Sequence, residues 1–400
     1  MKQIFLLIFC ISLTFLLQAQ ISKTVNVTAG GLSASLTATE KSTVTNLTVT
    51  GTIDGTDFET MYNEMPVLSM LDLSAVTVTN PLNAIPESAF EDNSNLTSII
   101  VPTSVSIIGE NAFYECSVLT AVVIPEGVTS IPKGAFENCT SLKSINIPSS
   151  VSKIGEYAFE YCSSLKSIIL PSTLTTIEDE SFKNCTSLTS ITIPSSVTYL
   201  GDEIFSGCDS LATVIISEGV TNIGRWMFNN CSGLTSVTFP SSIISIGEYA
   251  FAGDTVLNSI YAYQSTPVEL KNSVGVFYAL NKTTCILNVP KGSKIAYQNA
   301  DQWKDFLNIV EMDNPNVINE RSITSEAKIY TSAQLIYVRF PETPKNTRIN
   351  IYDINGSLII SKIADDILTT IQISRNGVYA VKVVDEYNKK IEKVVISCYN

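Results

Sequence analysis

The sequence contains no histidine among its 400 residues. Histidine is the usual proton acceptor of serine and cysteine hydrolases and the commonest metal ligand in proteins. Its absence excludes Ser–His–Asp and Cys–His catalysis. No two cysteines have C-x-x-C spacing either, so the usual thiolate metal motif is missing. We therefore predict no catalytic residues, no metal site and no cofactor, and we expect that the protein is not an enzyme.

Charged residues are scarce and mostly acidic. They make up 16% of the chain, and 25 basic against 38 acidic residues give a net charge of −13. This balance argues against nucleic acid as a partner, because phosphates are bound by clustered Lys and Arg. Hydrophobic residues make up 45%, which is enough for a large core.

Long apolar runs are also missing, apart from the first residues. Ile4–Leu17 is apolar, follows Lys2 and precedes Leu17-Gln18-Ala19, a small-residue cleavage site. The run is too short for a comfortable membrane span. Residues 1–19 are therefore predicted to be a signal peptide, and no transmembrane segment is expected in the mature chain.

A 23-residue repeat occupies the middle of the chain. Phe recurs eight times at this spacing, and Leu follows each Phe six residues later, from Leu96 to Leu257. The phenylalanines are Phe90, Phe113, Phe136, Phe159, Phe182, Phe205, Phe228 and Phe251. Cysteine keeps the same register at Cys116, Cys139, Cys162, Cys185, Cys208 and Cys231. Self-similarity at a fixed period is the signature of a repeat solenoid.

Each repeat has the apolar pattern of one short strand. Leu142, Ile145 and Ile147 occupy positions one, four and six of such a segment, and positions four and six point to one face. Stacked units bury that face and pair the backbone, so we predict a parallel β ladder. The Ala-Phe pairs should lie on short helical or 3-10 return legs. Glycines such as Gly109 and Gly155 should serve a tight bend at the start of each leg.

The cysteine column has two interpretations. Exported proteins often form disulfides. However, side chains in register on stacked layers point the same way, whereas a disulfide needs Cβ atoms that face each other at about 4 Å. Buried free thiols are therefore predicted, and the redox state stays open.

The repeat consensus is similar to a known family. Its form IP-x-x-AF-x-x-C-x-x-L-x-S-I-x-IP, as in Ile131–Pro148, resembles the BspA-like leucine-rich repeats of secreted bacterial proteins. The resemblance covers residues 85–263 as eight repeats. It implies a leucine-rich-repeat solenoid and adhesion or binding at cell surfaces, without naming a ligand.

Both ends of a solenoid need caps. Residues 20–84 are predicted to form the N-terminal cap, because Leu68, Leu71 and Leu73 repeat the spacing one, four and six. Residues 264–310 are predicted to form the C-terminal cap, with a strand near Pro290 and a short helix. The buried face of that helix should carry Tyr297, Ala300, Trp303 and Phe306.

The carboxy-terminal part follows a polar linker, predicted over residues 311–327. Residues 328–400 alternate in short strands, with a turn at Asn355-Gly356, and predict a small antiparallel β-sandwich. The segments IYDINGSLI, NGVYAVKVV and KVVIS resemble the C-terminal sorting domain of the type IX secretion system. The resemblance implies contact with that secretion machinery, export across an outer membrane, and attachment to the cell surface or release.

The candidate ligand-binding residues lie at positions three and five of each strand, which should face outward on the concave side. They are Ser98, Ile100, Ser144, Asn146, Ser167, Ser190, Thr192, Thr213, Ser236, Thr238, Ser259 and Tyr261. These positions carry no charge, so they suit a flat peptide or glycan partner. The same residue types also suit a β ladder without any ligand, and both interpretations stay open.

Two further columns recur in the repeats. Acidic residues share one position at Glu110, Glu156, Asp179, Asp202 and Glu248, interrupted by Lys133 and Arg225. Paired carboxylates occur in glycosidases, but a solvated stripe is the favoured interpretation. Aromatic residues share the next position at Tyr157, Trp226 and Tyr249, and three of eight is weak evidence for a carbohydrate track.

These observations together predict a secreted or outer-membrane surface protein that binds host or neighbouring-cell proteins or glycans through its solenoid. The alternative is a structural spacer of a surface layer without a specific ligand.

Overall fold

A computed structural model describes residues 20–312 and seven strand segments nearer the C-terminus, which are 328–332, 335–339, 348–352, 358–364, 368–372, 377–384 and 390–398. The predicted signal peptide, most of the predicted linker and the predicted Asn355-Gly356 turn lie outside the described residues. The chain divides into two compact units, residues 1–315 and 316–400, which are described separately here.

The first unit begins with a helix-containing cap. Its elements are β1 (Ser22–Val27), α1 (Leu32–Ser35), α2 (Ala38–Thr43), β2 (Asn46–Asp54), α3 (Gly55–Asn63) and β3 (Met70–Asn80). Capping boxes begin α2 at Thr37 and α3 at Asp54, which satisfies their first backbone amides. The strands pair in parallel in the order β1, β2, β3. Phe58 on α3 lies edge-on to Phe90, 6.0 Å between ring centroids, and so continues the core of the repeats.

The repeats contribute one longer and one two-residue strand per unit in most layers. In chain order they are β4 (Ala84–Ile85), β5 (Ser98–Ile100), β6 (Ile107–Ile108), β7 (Ala121–Val123), β8 (Ser130–Ile131), β9 (Lys153–Ile154), β10 (Thr176–Ile177), β11 (Ser190–Ile193), β12 (Tyr199–Leu200), β13 (Thr213–Ile216), β14 (Asn222–Ile223), β15 (Ser236–Phe239), β16 (Ser245–Ile246) and β17 (Ser259–Ala262). All pair in parallel with the neighbouring layer, as in Ser190 with Thr213. The predicted parallel ladder is confirmed.

The main ladder is interrupted in its two central layers. One sheet runs β1-β2-β3-β5-β7 and the next begins at β11, so residues 144–147 and 167–170 form no regular strand. The interlayer bonds Lys143 N–Thr120 O and Lys166 N–Lys143 O measure 3.4 Å, against 2.9 Å for Thr120 N–Thr97 O. At this position Thr120 also donates its hydroxyl to the carbonyl of Thr97. A lysine cannot replace that bond, and two lysines in adjacent layers repel each other.

The core consists of matching side chains stacked along the solenoid. The eight phenylalanine rings are buried and nearly parallel, as in Phe113 and Phe136, 5.2 Å apart at 3°. The six repeat cysteines are buried and free. Each thiol donates to a phenylalanine carbonyl 26 residues earlier, as Cys162 does to Phe136 at 3.1 Å. The cysteines therefore have a structural role, since they fill the core and form hydrogen bonds with the backbone of the preceding layer.

The return legs are consecutive turns rather than continuous helices. In each repeat, the residues two before and two after the phenylalanine have left-handed φ, such as Asn111 (54°) and Glu115 (55°) around Phe113. Every second backbone amide of a return leg closes an i→i+3 turn within the leg. The amides between them donate to carbonyls of the next layer, as Phe113 N does to Ala135 O at 3.0 Å. The return legs are therefore hydrogen-bonded from layer to layer as well.

The glycines predicted to serve a tight bend have a further role. Gly109 and Gly155 are not among the residues with left-handed φ. A Cβ atom on Gly109 would lie 2.3 Å from Glu87 N, and one on Gly155 would lie 2.7 Å from Lys133 N. Both glycines do begin the first turn of a return leg, since Ala112 N donates to Gly109 O and Ala158 N to Gly155 O at 3.3 Å. Glycine is required there because adjacent layers approach closely.

The C-terminal cap contains one more return leg than the 23-residue spacing predicts. Phe277 lies 26 residues after Phe251, is buried, and stacks on it at 6.1 Å and 20°. The cap then continues with β18 (Ile286–Pro290), α4 (Lys294–Asn299), a 3-10 helix (Trp303–Asp305) and β19 (Asn308–Met312). Tyr297 and Trp303 are buried, and Trp303 donates to Val268 O at 2.9 Å. They close the core at this end.

The second unit consists of antiparallel strands. They are β20 (Lys328–Ser332), β21 (Leu335–Arg339), β22 (Arg348–Tyr352), β23 (Leu358–Ile363), β24 (Leu368–Gln372), β25 (Gly377–Val384) and β26 (Lys390–Cys398). They form two sheets, in the orders β20-β21-β24 and β23-β22-β25-β26. The predicted combination of a leucine-rich-repeat solenoid and a small antiparallel β unit is confirmed.

Candidate functional site

The candidate surface is the outward face of the main strands, called the strand face here. Register places position three of each strand in one column, as in Ser98 with Ala121 and Ser236 with Ser259, and position five in a second column. Positions four and six are buried. The predicted residues Ser144, Asn146 and Ser167 belong to the two central layers, where no regular strand forms but the side chains remain exposed.

Apolar side chains are exposed in the N-terminal half of the strand face. Ile100, Val123 and Ile169 at position five are 42%, 58% and 54% exposed. In the C-terminal half, the predicted residues are half-buried until the exposed Tyr261. The half-buried residues are Ser190, Thr192, Thr213, Ser236, Thr238 and Ser259. Position three carries Ser, Thr or Ala in both halves, whereas the exposed apolar side chains at position five lie mainly in the N-terminal half.

The strand face extends beyond the repeats. Met70 pairs with Ser98, Asp72 with Ile100, and Tyr261 with Asn288. A cleft of about 270 Å³ lies at the N-terminal end, lined by residues of β1, β2, β3 and β5. In that lining, the side-chain oxygen of Asn46 is buried and has no hydrogen-bond partner. The N-terminal cap is thus part of the same surface, which the repeat pattern alone did not indicate.

Sequence reasoning missed position two of the strands. Side chains there border the strand face, since Asn258 Oδ1 accepts a 2.9 Å hydrogen bond from the hydroxyl of its neighbour Ser259. Lys143 and Lys166 occupy this position and are exposed. They are the only charged residues at positions two, three and five of the eight repeats. The signal was present in the repeat, but strict alternation assigns position two to the interior.

The acidic column serves contacts between layers. Glu156 pairs with Lys133 at 2.6 Å, and Glu248 with Arg225 at 3.0 Å. The bond from Lys133 is the main cause of a lowered pKa of Glu156. The Oδ1 atom of Asp202 accepts a 2.8 Å hydrogen bond from the backbone amide of Arg225. Among the residues that the structure describes, no group of three or more acidic or thiol side chains could hold a metal ion.

Burial also raises the pKa of carboxyls on the return legs, among them Glu137 and Glu160. Burial, followed by the charges of Glu180 and Glu137, raises the pKa of Glu160 to about 7. Lys183 opposes this shift and bridges Glu180 and Glu203 at 2.5 and 2.7 Å. The raised pKa of Glu160 is therefore explained by burial and by glutamates of neighbouring layers. It does not require a catalytic arrangement.

Burial also determines the state of the thiols. It raises the pKa of Cys116 and of Cys208 to about 12, and raises that of Cys162 well above its usual range. Since the thiolate is the reactive form, burial holds these thiols in their less reactive, protonated form.

Comparison with known proteins gives two family matches. The BspA type leucine-rich repeat region matches in six copies over residues 68–189 and 152–278. The secretion system C-terminal sorting domain matches residues 332–397. A search of curated proteins found no match.

Several solved structures are similar. A leucine-rich repeat protein of T. pallidum is 28% identical over 47% of this chain and 77% of its own, with a TM-score of 0.37. One from Bacteroides ovatus is 21% identical over 72% and 92%, with a TM-score of 0.37. A leucine rich cell surface protein of Faecalibacterium prausnitzii is 23% identical over 68% and 84%, with a TM-score of 0.29.

The sorting domain determines where the protein works. It directs export through the type IX secretion system to the outer-membrane surface or the extracellular space. In the described part of the chain, no helix has the length and apolar character needed to cross a bilayer. The repeat family is an interaction scaffold rather than a catalytic family. With its repeats matched over more than half of its length, the chain belongs to the BspA-type leucine-rich-repeat family.

Proposed function

We propose that the protein is an adhesin whose strand face binds a protein or glycan on host or neighbouring cells. The exposed apolar column of Ile100, Val123 and Ile169 is the observation that carries the proposal. Exposing apolar surface to water costs about 25 cal/mol per Å². Ile100 and Val123 lie in adjacent layers, and only Asn146 separates Val123 from Ile169 in the same column, so these side chains suit an interaction site. A partner that covers this column would recover that free energy.

Charge favours an uncharged or weakly anionic partner. The strand face of the repeats is neutral except for Lys143 and Lys166 at its border. Long-range steering by charge would therefore be slight, and recognition would depend on shape, hydroxyl groups and apolar contact. An extended peptide or a flat glycan fits these conditions.

Binding is tested with the secreted full-length chain on panels of matrix proteins and glycans. Replacing Ser144, Asn146, Ser190 and Thr192 together with lysine should abolish capture of any partner found, because four charges would cross the strand face. A matched variant carries four lysines on the two-residue strands, at Ser130, Thr176, Asn222 and Ser245. It should bind like the wild type.

Two results would contradict the proposal. If the wild type captures nothing above background on either panel, the spacer alternative is favoured. Equal loss of binding in both lysine variants would show that net charge, and not the strand face, controls capture.

A further inference from the structure

Two basic side chains of the repeats, Lys143 and Lys166, are not neutralised by an acidic group. Residues 85–263 contain six basic residues. The four that form ion pairs are Lys133, Lys153, Lys183 and Arg225. Within the part of the chain that the structure describes, Lys143 and Lys166 form no ion pair, and both are exposed. Their ammonium groups are therefore available to an anion from outside the molecule.

The two lysines lie side by side at the border of the strand face. They occupy position two of adjacent layers, so their Cα atoms are about 5 Å apart. Like charges this close destabilise a ladder, and the main ladder is interrupted in these two layers. Threonine occupies position two in four of the eight repeats. The fold gains nothing from the lysine pair, whereas an anion placed between the two ammonium groups would remove their repulsion.

Exposed apolar side chains lie on the same part of the strand face. Val123 and Ile169, at position five, are 58% and 54% exposed. Asn146 lies between them in the column and is also exposed, and its side-chain amide can both donate and accept hydrogen bonds. Positions two and five are three residues apart, roughly 10 Å along the strand direction. Lys143, Lys166, Asn146, Val123 and Ile169 together are called the central patch here.

The charge of the molecule limits what the central patch can bind. The net charge of −13 opposes the approach of a polyanion, and two lysines cannot neutralise many negative groups. A single carboxylate can accept charge-assisted hydrogen bonds from both ammonium groups. An aliphatic or aromatic side chain would remove Val123 and Ile169 from water, which a sulfated sugar cannot do equally well. These conditions favour a peptide over an anionic glycan.

We infer that the central patch binds an extended peptide segment of a partner protein, in which an acidic residue lies close to an apolar one. The carboxylate accepts hydrogen bonds from Lys143 and Lys166, and the apolar side chain covers Val123 and Ile169. Side chains two residues apart in an extended peptide point to the same side, roughly 7 Å apart, and the flexible lysine side chains span the remaining distance. The inference rests on the proposed adhesin function, since it names the class of partner that the strand face takes.

Random short peptides displayed on phage are selected on the full-length chain. We expect the enriched peptides to combine an aspartate or glutamate with a nearby aliphatic or aromatic residue. An enriched peptide and a version with an amide in place of its carboxylate are then titrated by calorimetry. Lys143→Thr/Lys166→Thr should weaken binding of the carboxylate peptide by about tenfold or more. It should leave binding of the amide peptide unchanged, which assigns the carboxylate to the lysine pair.

Three further variants separate charge, apolar contact and fold. Lys143→Arg/Lys166→Arg keeps both charges and should bind within about threefold of the wild type. Lys153→Thr removes a lysine that is already paired with Glu178 and should bind within about twofold. Val123→Thr/Ile169→Thr should weaken binding by about fivefold or more, because it reduces the apolar contact. Thermal melting of each variant shows that a loss of binding is not a loss of fold.

Several results would overturn the inference. Enriched peptides without an acidic residue would do so, as would equal losses of affinity in Lys143→Thr/Lys166→Thr and in Lys153→Thr. If no peptide is enriched but a glycan is captured through the strand face, the inference fails while the proposed adhesin function stands. If neither peptides nor the matrix protein and glycan panels give any binding, both fail.

Discussion

Asp254 stands where the inner repeats have cysteine, at the C-terminal end of the thiol column. It is fully buried, and its Oδ1 accepts the amide of Cys231 at 2.8 Å. Its Oδ2 has no hydrogen-bond partner. Burial raises the pKa of Asp254 to about 8 from a usual 3.8. A carboxylic acid thus occupies a buried position that holds a neutral thiol in the inner repeats.

This residue should make stability depend on pH. Between about pH 4 and pH 8 the folded protein holds a proton on Asp254 that the unfolded chain has lost. The free energy of unfolding should therefore fall as pH rises through this window, by at most about 1.4 kcal/mol per pH unit. The stabilisation that protonated Asp254 provides is complete below about pH 4 and lost above about pH 8.

Asp254→Asn should remove this dependence and raise stability at pH 8, since an amide keeps the acceptor for Cys231 and cannot ionise. Urea unfolding at pH 5, 6.5 and 8 measures the effect. Asp209→Asn removes a charge from an exposed residue next to Cys208 and serves as the comparison. An identical pH profile in the wild type and Asp254→Asn would refute the assignment.

At the scale of elements, the main ladder has a weak region in the layers of Lys143 and Lys166. Amide hydrogens of residues 144–147 and 167–170 should exchange faster than those of β11 and β13, because the latter belong to a regular sheet. Hydrogen–deuterium exchange with peptide mapping checks this directly.

The double variant Lys143→Thr/Lys166→Thr should repair the ladder. It removes a pair of like charges. It also supplies a threonine hydroxyl that can donate to the carbonyl of the preceding layer, as Thr189 does to Lys166 O at 3.3 Å. We expect slower exchange in the central layers and a gain of roughly 0.5–1 kcal/mol in unfolding free energy. Lys153→Thr, which breaks the ion pair with Glu178 on a two-residue strand, should give no gain. Unchanged exchange in the double variant would contradict the explanation.

The sequence was sufficient to predict the elements that follow the repeat. Phenylalanine and leucine recur because each layer must fill the same core slot, so their spacing gives the layer count and the strand register. Phe277 was not predicted as part of the phenylalanine column, because additional residues before it change its spacing to 26. It nevertheless fills the same core position. The need for glycine at position 109 to let two layers approach was not predicted, because this contact belongs to two units and the pattern of one unit does not show it.

The candidate site was only partly predictable. Positions three and five follow from strand alternation, whereas Lys143 and Lys166 lie where the strand has not yet become regular. The binding role of the strand face remains a prediction.

At the scale of the whole molecule, the solenoid and the sorting domain have separate tasks. A chain that ends at Asp313 lacks the region matched by the sorting domain, which begins at residue 332. It should fold, because the solenoid has its own caps, and should accumulate in the periplasm. Cell fractionation and surface labelling of whole cells measure its location.

A periplasmic reporter fused to residues 314–400 provides the complementary case and should reach the surface or the medium. Normal surface display of the chain ending at Asp313 would show that export does not require the C-terminal unit.

The bonds between layers also determine how the molecule responds to pulling. Each layer is held to the next by backbone bonds that run along the solenoid, on the strands and on the return legs. Tension applied along the solenoid would load these bonds one layer at a time. Each released layer frees 23 residues, which extend to roughly 80 Å. Under such tension the repeats would unfold in equal steps and dissipate force.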